Sequence, residues 1–177
     1  LLLDLLAGMS YVLQIEDGEP LTEIQKKNIS DGFTDDIGKI VLAKNDRSLA
    51  MRNDKASLQD LIGEEFTLQE YIDRNYAGKP VVVDLWNTWC APCLSAISQT
   101  EDIKHSFAGP DLVFLYVSNE SSPAEAWKKQ AAKIGGDQVR ISMDASDALL
   151  AKYGFTGFPS YLFFDRSHKL VHAQTAF

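Results

Sequence analysis

The sequence predicts an α/β domain, a central mixed β-sheet flanked by helices, preceded by a small helical region. Two near-continuous apolar, β-branched runs at 81–86 and 112–117 have the character of central strands covered on both faces, with a helix-length segment between them. Two further strand-like runs, 161–164 and 169–172, flank the polar turn Asp165-Arg166-Ser167-His168 and predict a hairpin closing one side of the sheet. Before residue 51 the apolar residues recur at helical spacing instead.

In chain order, Leu2, Leu5, Leu6, Met9, Val12 and Leu13 predict an amphipathic first helix with these residues on its buried face. Asp17-Gly18-Glu19-Pro20 ends it, Gly18 suiting a left-handed C-cap and Pro20 the first turn of a second helix of roughly ten residues. Thr34 is a good N-cap for a third helix carrying Ile37, Ile40 and Val41. The polar, aperiodic stretch 51–57 is the candidate linker, and the domains are read as 1–56, helical, and 57–177, α/β. Thr67 with Glu70 forms a capping box opening a short helix to about Asn75, which Gly78-Lys79-Pro80 stops before the strand at Val81. Helices are then expected over about 91–107, 123–134 and 145–153, with a short strand near 139–142, and this alternation indicates a βαβ core.

A chain of 177 residues is about one ordinary domain and can bury a sizeable core. With 45% hydrophobic and 24% charged residues it is neither a disordered chain nor a disulfide-stapled miniprotein. The net charge of -8, with no local basic patch, excludes nucleic acid as a partner. The longest strongly apolar stretch, 1–6, is interrupted by Asp4 and falls far short of the roughly 20 residues that span a bilayer, so no transmembrane segment is expected in this chain. It opens on Leu1 with no basic leader, as an excised or processed fragment does, and the compartment is not read from it.

The two cysteines, Cys90 and Cys93, are the most informative pair. A disulfide stabilises mainly by closing a long loop in the unfolded chain, and a two-residue gap closes almost none, so chemistry is the better reason for the spacing. Cys90-Ala91-Pro92-Cys93 falls where a buried strand hands over to a helix, and the dipole and free N–H groups there favour Cys90 as an exposed thiolate, with Cys93 more buried and less reactive. The competing reading, half of a zinc site, lacks its other half: no further cysteine exists, and His105, His168 and His172 are not at ligand spacing. Asp84 is an acid inside a strand whose neighbours bury it. Either local hydrogen bonds satisfy its carboxyl, or burial raises its pKa and makes it a general base for Cys93, on the strand face it shares with Val82 and Trp86. Trp86 reads as core, and Trp89 as an apolar rim on which a partner protein packs.

The run from Val83 to Cys93 (Val-Asp-Leu-Trp-Asn-Thr-Trp-Cys-Ala-Pro-Cys), with Tyr153-Gly-Phe-Thr-Gly-Phe-Pro-Ser-Tyr-Leu-Phe-Phe164 following it in the right order, resembles the thioredoxin superfamily over roughly residues 60–177. The material between Ser121 and Ala151 and the strand at 112–118 resemble its TlpA and ResA branch of extracytoplasmic thiol-disulfide oxidoreductases, and the helical leader resembles forms found in Bacteroidetes envelopes. The resemblance implies a thioredoxin-like fold, no cofactor, a periplasmic or cell-envelope location, protein substrates bearing disulfides and an upstream electron donor that the sequence does not identify. It implies that Cys90 attacks the substrate disulfide, that Cys93 resolves the mixed disulfide, and that Asp84 is the buried acid. Pro159 matches the cis-proline beside the disulfide, and the backbone of Phe158 would pair with an extended substrate segment.

Three features depart from the family pattern. Phe158 is bulkier than the usual residue before the cis-proline and would narrow the substrate groove. Ser98 replaces a kinking proline, which predicts a straighter helix, and the closing helix after the hairpin is expected to be absent by Phe177. The Ala-Pro dipeptide leaves the direction of electron flow open, because potentials span more than about 100 mV on this fold. A binding or redox-sensing module whose helical leader recruits a partner is the alternative to an enzyme.

Overall fold

The computed structural model describes residues 2–16, 19–33, 36–53, 56–107 and 112–175, and the chain divides into two compact units, Leu1–Lys55 and Ala56–Phe177. The first holds helices α1 (Leu2–Glu16), α2 (Glu23–Gly32) and α3 (Asp36–Asn53). α2 opens on a capping box in which the Thr22 hydroxyl accepts from the Gln25 N–H and the Gln25 side chain accepts from the Thr22 N–H. Pro20 therefore lies ahead of the cap and not in the first turn. Ile15, Leu21, Ile29 and Val41 form this unit's core, with Tyr11, Val12, Phe33, Ile37 and Leu42 against them.

The buried face of α1 is rotated from the one its leucines predict. Leu6, Met9 and Leu13 are each more than half exposed, whereas Gly8 and Ile15 are buried. The reason is steric: a Cβ on Gly8 would stand 2.7 Å from Ile37 Cγ2, so α1 and α3 meet where the side chain is missing, and larger residues turn outward. Ile40 is likewise exposed while Val41 is buried. Residues 51–53 continue α3 and Ser57 opens a strand, so the helix and the strand replace most of the expected linker. Gly18 and Thr34, expected as caps, and the side chains of Leu2 and Leu5 lie outside the described residues.

The second unit runs β1 (Ser57–Asp60), α4 (Leu68–Asn75), β2 (Val81–Leu85), α5 (Ala91–Phe107), β3 (Val113–Asn119), α6 (Ala124–Ile134), β4 (Asp137–Ile141), α7 (Met143–Tyr153), β5 (Ser160–Phe164) and β6 (Leu170–Thr175). Its sheet has the order β1-β4-β3-β2-β5-β6. β1 through β2 pair in parallel, and β5 and β6 add antiparallel strands on the far edge, giving the mixed sheet. The fold is thioredoxin-like, with β1 the strand that sequence reading misses. Thr67 caps α4 without a side-chain hydrogen bond, so the expected capping box does not form. Burial of Leu68 and Ile72 secures that helix instead.

Strand alternation sorts the core into two layers. Val81, Val83 and Leu85 face Leu115, Val117, Val139, Ile141, Leu162 and Phe164 beneath α4 and α7. Trp86, Tyr116, Trp127 and Ile97 form the other layer, which contains both cysteines. Across the edge of the sheet, the buried Arg140 guanidinium donates to both Asp60 carboxylate oxygens (2.9 and 3.1 Å) and to the Ser122 carbonyl (2.8 Å). It thereby ties β1 to the loop after β3. α5 continues through Ser98 as one helix, in keeping with the missing proline.

Candidate active site

β2 ends at Leu85, and the segment Trp86-Asn87-Thr88-Trp89 carries the chain to α5. The Cys90 carbonyl accepts from Leu94 N–H (3.1 Å), so Cys90 stands as the first cap of the helix and Pro92 occupies its first turn. Cys90 and Cys93 form a disulfide with their Cα atoms 5.2 Å apart. The Cys93 backbone N–H donates to Cys90 Sγ (3.2 Å), one of the helix-terminal donors that have no partner inside the helix. That contact and the helix dipole act on Cys90 Sγ together and favour its thiolate once the disulfide opens.

Cys90 is expected from sequence to be exposed, and here the structure differs. It is 3% exposed and Cys93 fully buried, because both sulfurs belong to the layer formed by Trp86, Tyr116 and Trp127, with Phe158 against it. Trp86 is buried core, as read from the sequence, and Trp89 is 58% exposed. Phe158 and Pro159 are joined by a cis peptide, and Pro159 is buried. The rings of Trp89 and Phe158 meet edge to face, with centroids 6.1 Å apart and planes at 88°.

Asp84 is 3% exposed in the middle of β2, directly opposite Tyr116 on β3 and Tyr161 on β5. Burial, and secondarily the charge of Asp84, raise the Tyr161 phenol above its ordinary range.

A polar network that sequence reading misses fixes the loop before the cysteines. Asn87, fully buried, accepts through Oδ1 from Asn119 N–H (3.1 Å) and from the Ser122 hydroxyl (2.8 Å), and Ser122 Oγ in turn accepts from Thr88 N–H (3.0 Å). Asn119 Nδ2 donates to Ser146 Oγ (3.1 Å), and the Trp89 indole N–H donates to Ser121 Oγ (2.9 Å). The polar string Ser118-Asn119-Glu120-Ser121-Ser122 after an apolar strand is the one local hint of these bonds, whose partners lie 27 to 35 residues away. His168, one of the histidines not at ligand spacing with the cysteines, stands against Asp73 (2.7 Å) and the Tyr76 carbonyl (3.0 Å), bracing the hairpin turn to α4. Among the described residues, no three His, Cys, Asp or Glu side chains are grouped to hold a metal ion.

A thioredoxin-like sheet with a Cys-x-x-Cys disulfide at a helix N-terminus and a cis-proline loop defines the class of the thiol-disulfide oxidoreductases. Residues 43–177 match the Redoxin family, and the chain belongs to it. It is 28% identical over 113 residues to the thiol-disulfide oxidoreductase ResA of Geobacillus thermodenitrificans, covering 64% of this chain and 61% of that protein. It is 27% identical over 114 residues to an uncharacterized protein of Haemophilus influenzae, covering 61% and 68% respectively. Among solved structures, the thioredoxin domain of a thiol-disulfide oxidoreductase from Bacteroides vulgatus superposes with a TM-score of 0.51 at 25% identity, over 59% of this chain and 75% of that one. A thiol:disulfide interchange protein from Bacteroides sp. does so with a TM-score of 0.51 at 25% identity, over 62% and 69%.

Proposed function

We propose that this chain reduces disulfides in protein substrates through the Cys90–Cys93 pair, in the cell envelope, with Asp84 as the base that serves Cys93. The observation that carries the reading is the Cys93 N–H directed at Cys90 Sγ, 3.2 Å away at the start of α5, the helix that follows the strand in which Asp84 is buried. In the reduced protein the Cys90 thiolate attacks one sulfur of a substrate disulfide, forming a Cys90–substrate mixed disulfide and releasing the other substrate sulfur as a thiolate. Cys93 gives its proton to Asp84, directly or through a water, and attacks Cys90 Sγ, which expels the second substrate thiolate and regenerates the Cys90–Cys93 disulfide. Two electrons pass from the dithiol to the substrate, and an upstream dithiol donor must return them.

Trp89, Phe158 and Pro159 are assigned to the substrate surface, the Phe158 backbone pairing with an extended segment of the substrate. Resemblance to the ResA branch supports the envelope location; among the described residues, no helix is long and apolar enough to cross a membrane. The division into a helical unit at 1–56 and a thioredoxin-like unit at 57–177 is proposed as the functional one.

The test is insulin-disulfide reduction by the reduced protein, together with the equilibrium potential of the pair. The expected outcomes are turnover that disappears in Cys90→Ser and a potential at or below about -230 mV. Turnover that survives Cys90→Ser overturns the enzymatic reading, and a potential near -120 mV reverses the direction of transfer.

A further inference from the structure

We infer that Trp89 and Phe158 form an aromatic gate beside the Cys90–Cys93 disulfide, latched by the Ser121 hydroxyl, which selects disulfides in extended polypeptide segments over small soluble ones. The inference rests on the dithiol chemistry of the preceding section and adds the class of substrate and a positioning residue. An indole as exposed as that of Trp89 would ordinarily sample several rotamers. Here its N–H is held by Ser121 Oγ at 2.9 Å. Ser121 is itself oriented, since its hydroxyl donates to Asn119 Oδ1 (2.5 Å) and its backbone N–H donates to the same oxygen (3.1 Å). The hydroxyl proton is thereby committed to Asn119, and an oxygen lone pair remains for the indole. Asn119 is buried and anchored to Ser146, so the latch stands on the core of the sheet and not on a loose loop.

Held in this way, the Trp89 ring meets Phe158 edge to face, and Phe158 packs on the layer containing both cysteines. Sulfur exchange needs the incoming sulfur in line with the sulfur pair, and Cys90 is almost wholly covered. A small disulfide brings too little surface to offset parting the two rings. A polypeptide segment lays apolar side chains on the exposed face of Trp89 and recovers that cost, and the fixed indole presents the face preorganised.

The experiment measures second-order rate constants for the reduced protein with oxidised glutathione and with insulin, in the wild type, Ser121→Ala and Ser121→Thr. In Ser121→Ala the glutathione rate is expected to rise roughly fivefold, about the factor one ordinary hydrogen bond is worth, while the insulin rate falls. Ser121→Thr, which keeps the hydroxyl, restores both rates, and the reduction potential stays constant across the series. If Ser121→Ala fails to fold, Trp89→Phe removes the same N–H and is expected to shift the ratio of rates in the same direction. An unchanged ratio overturns the gate, and so does a parallel fall of both rates with a moved potential, which would place Ser121 in the support of the thiols. A wild-type protein that exchanges with neither probe overturns the dithiol reading itself; one that reduces insulin while the ratio stays fixed overturns the gate alone.

Discussion

Asn87 lies between the strand that carries Asp84 and the helix that carries the cysteines, and its side-chain oxygen takes two buried donors, Asn119 N–H and the Ser122 hydroxyl. Asn87→Ala strands both without water to replace the lost acceptor. The expected cost is about 2 kcal/mol in urea unfolding, since each orphaned buried donor costs on the order of 1–3 kcal/mol and the pair relaxes together. A cost under about half of that would mean the loop closes around the gap. Asp84 makes a different prediction, because the role proposed for it is kinetic. With Asp84→Asn, resolution at Cys93 is expected to slow about 100-fold, the mixed disulfide to accumulate, and the insulin-reduction rate to lose the part of its pH dependence that a carboxyl base imposes. Rates measured across pH decide it: a full rate with an unaltered profile makes Asp84 a structural carboxyl only.

Elements whose signals are local were legible in the sequence, and those made by distant partners were not. The apolar runs of β2 and β3, the turn of the β5–β6 hairpin and the cysteines at the start of α5 each declare themselves within a few residues. β1 does not, because Ser-Leu-Gln-Asp has no apolar run and becomes a strand only by pairing with β4, some 80 residues on. The exposure expected of Cys90 failed for the same reason, since Phe158, distant in sequence, packs on its layer. On α1 the helical period was correct and its phase was not. Counting leucines points to Leu6, Met9 and Leu13, whereas the close approach at Gly8 decides which side meets α3. Gly8→Val is accordingly expected to cost about 2 kcal/mol by overpacking. Hydrogen exchange along α1 reads this directly, and unchanged protection of its amides would show that the two helices part without penalty.

For the molecule as a whole, the tyrosines of the second unit set an upper pH limit on stability. Burial is the first cause that raises the phenols of Tyr71, Tyr76 and Tyr161 above the ordinary value, with the neighbouring charges of Tyr71 and Asp137 adding at Tyr76 and that of Asp84 at Tyr161. A phenol raised in the fold keeps its proton where the unfolded chain has lost it, so the unfolded state binds fewer protons and alkali favours it. The stability these groups contribute is fully present below the unfolded value near 10 and is lost as pH climbs from there toward the higher folded values. The urea midpoint should therefore hold level up to about pH 9 and then decline, by at most about 1.4 kcal/mol per pH unit for a buried phenol that keeps its proton in the fold, and by less for partly exposed Tyr71. Tyr161→Phe removes one such proton and leaves Tyr71 and Tyr76, so its decline should be shallower by one phenol's share. A variant as steep as the wild type would mean that Tyr161 ionises within the folded sheet, and the layer around Asp84 would then be open to water.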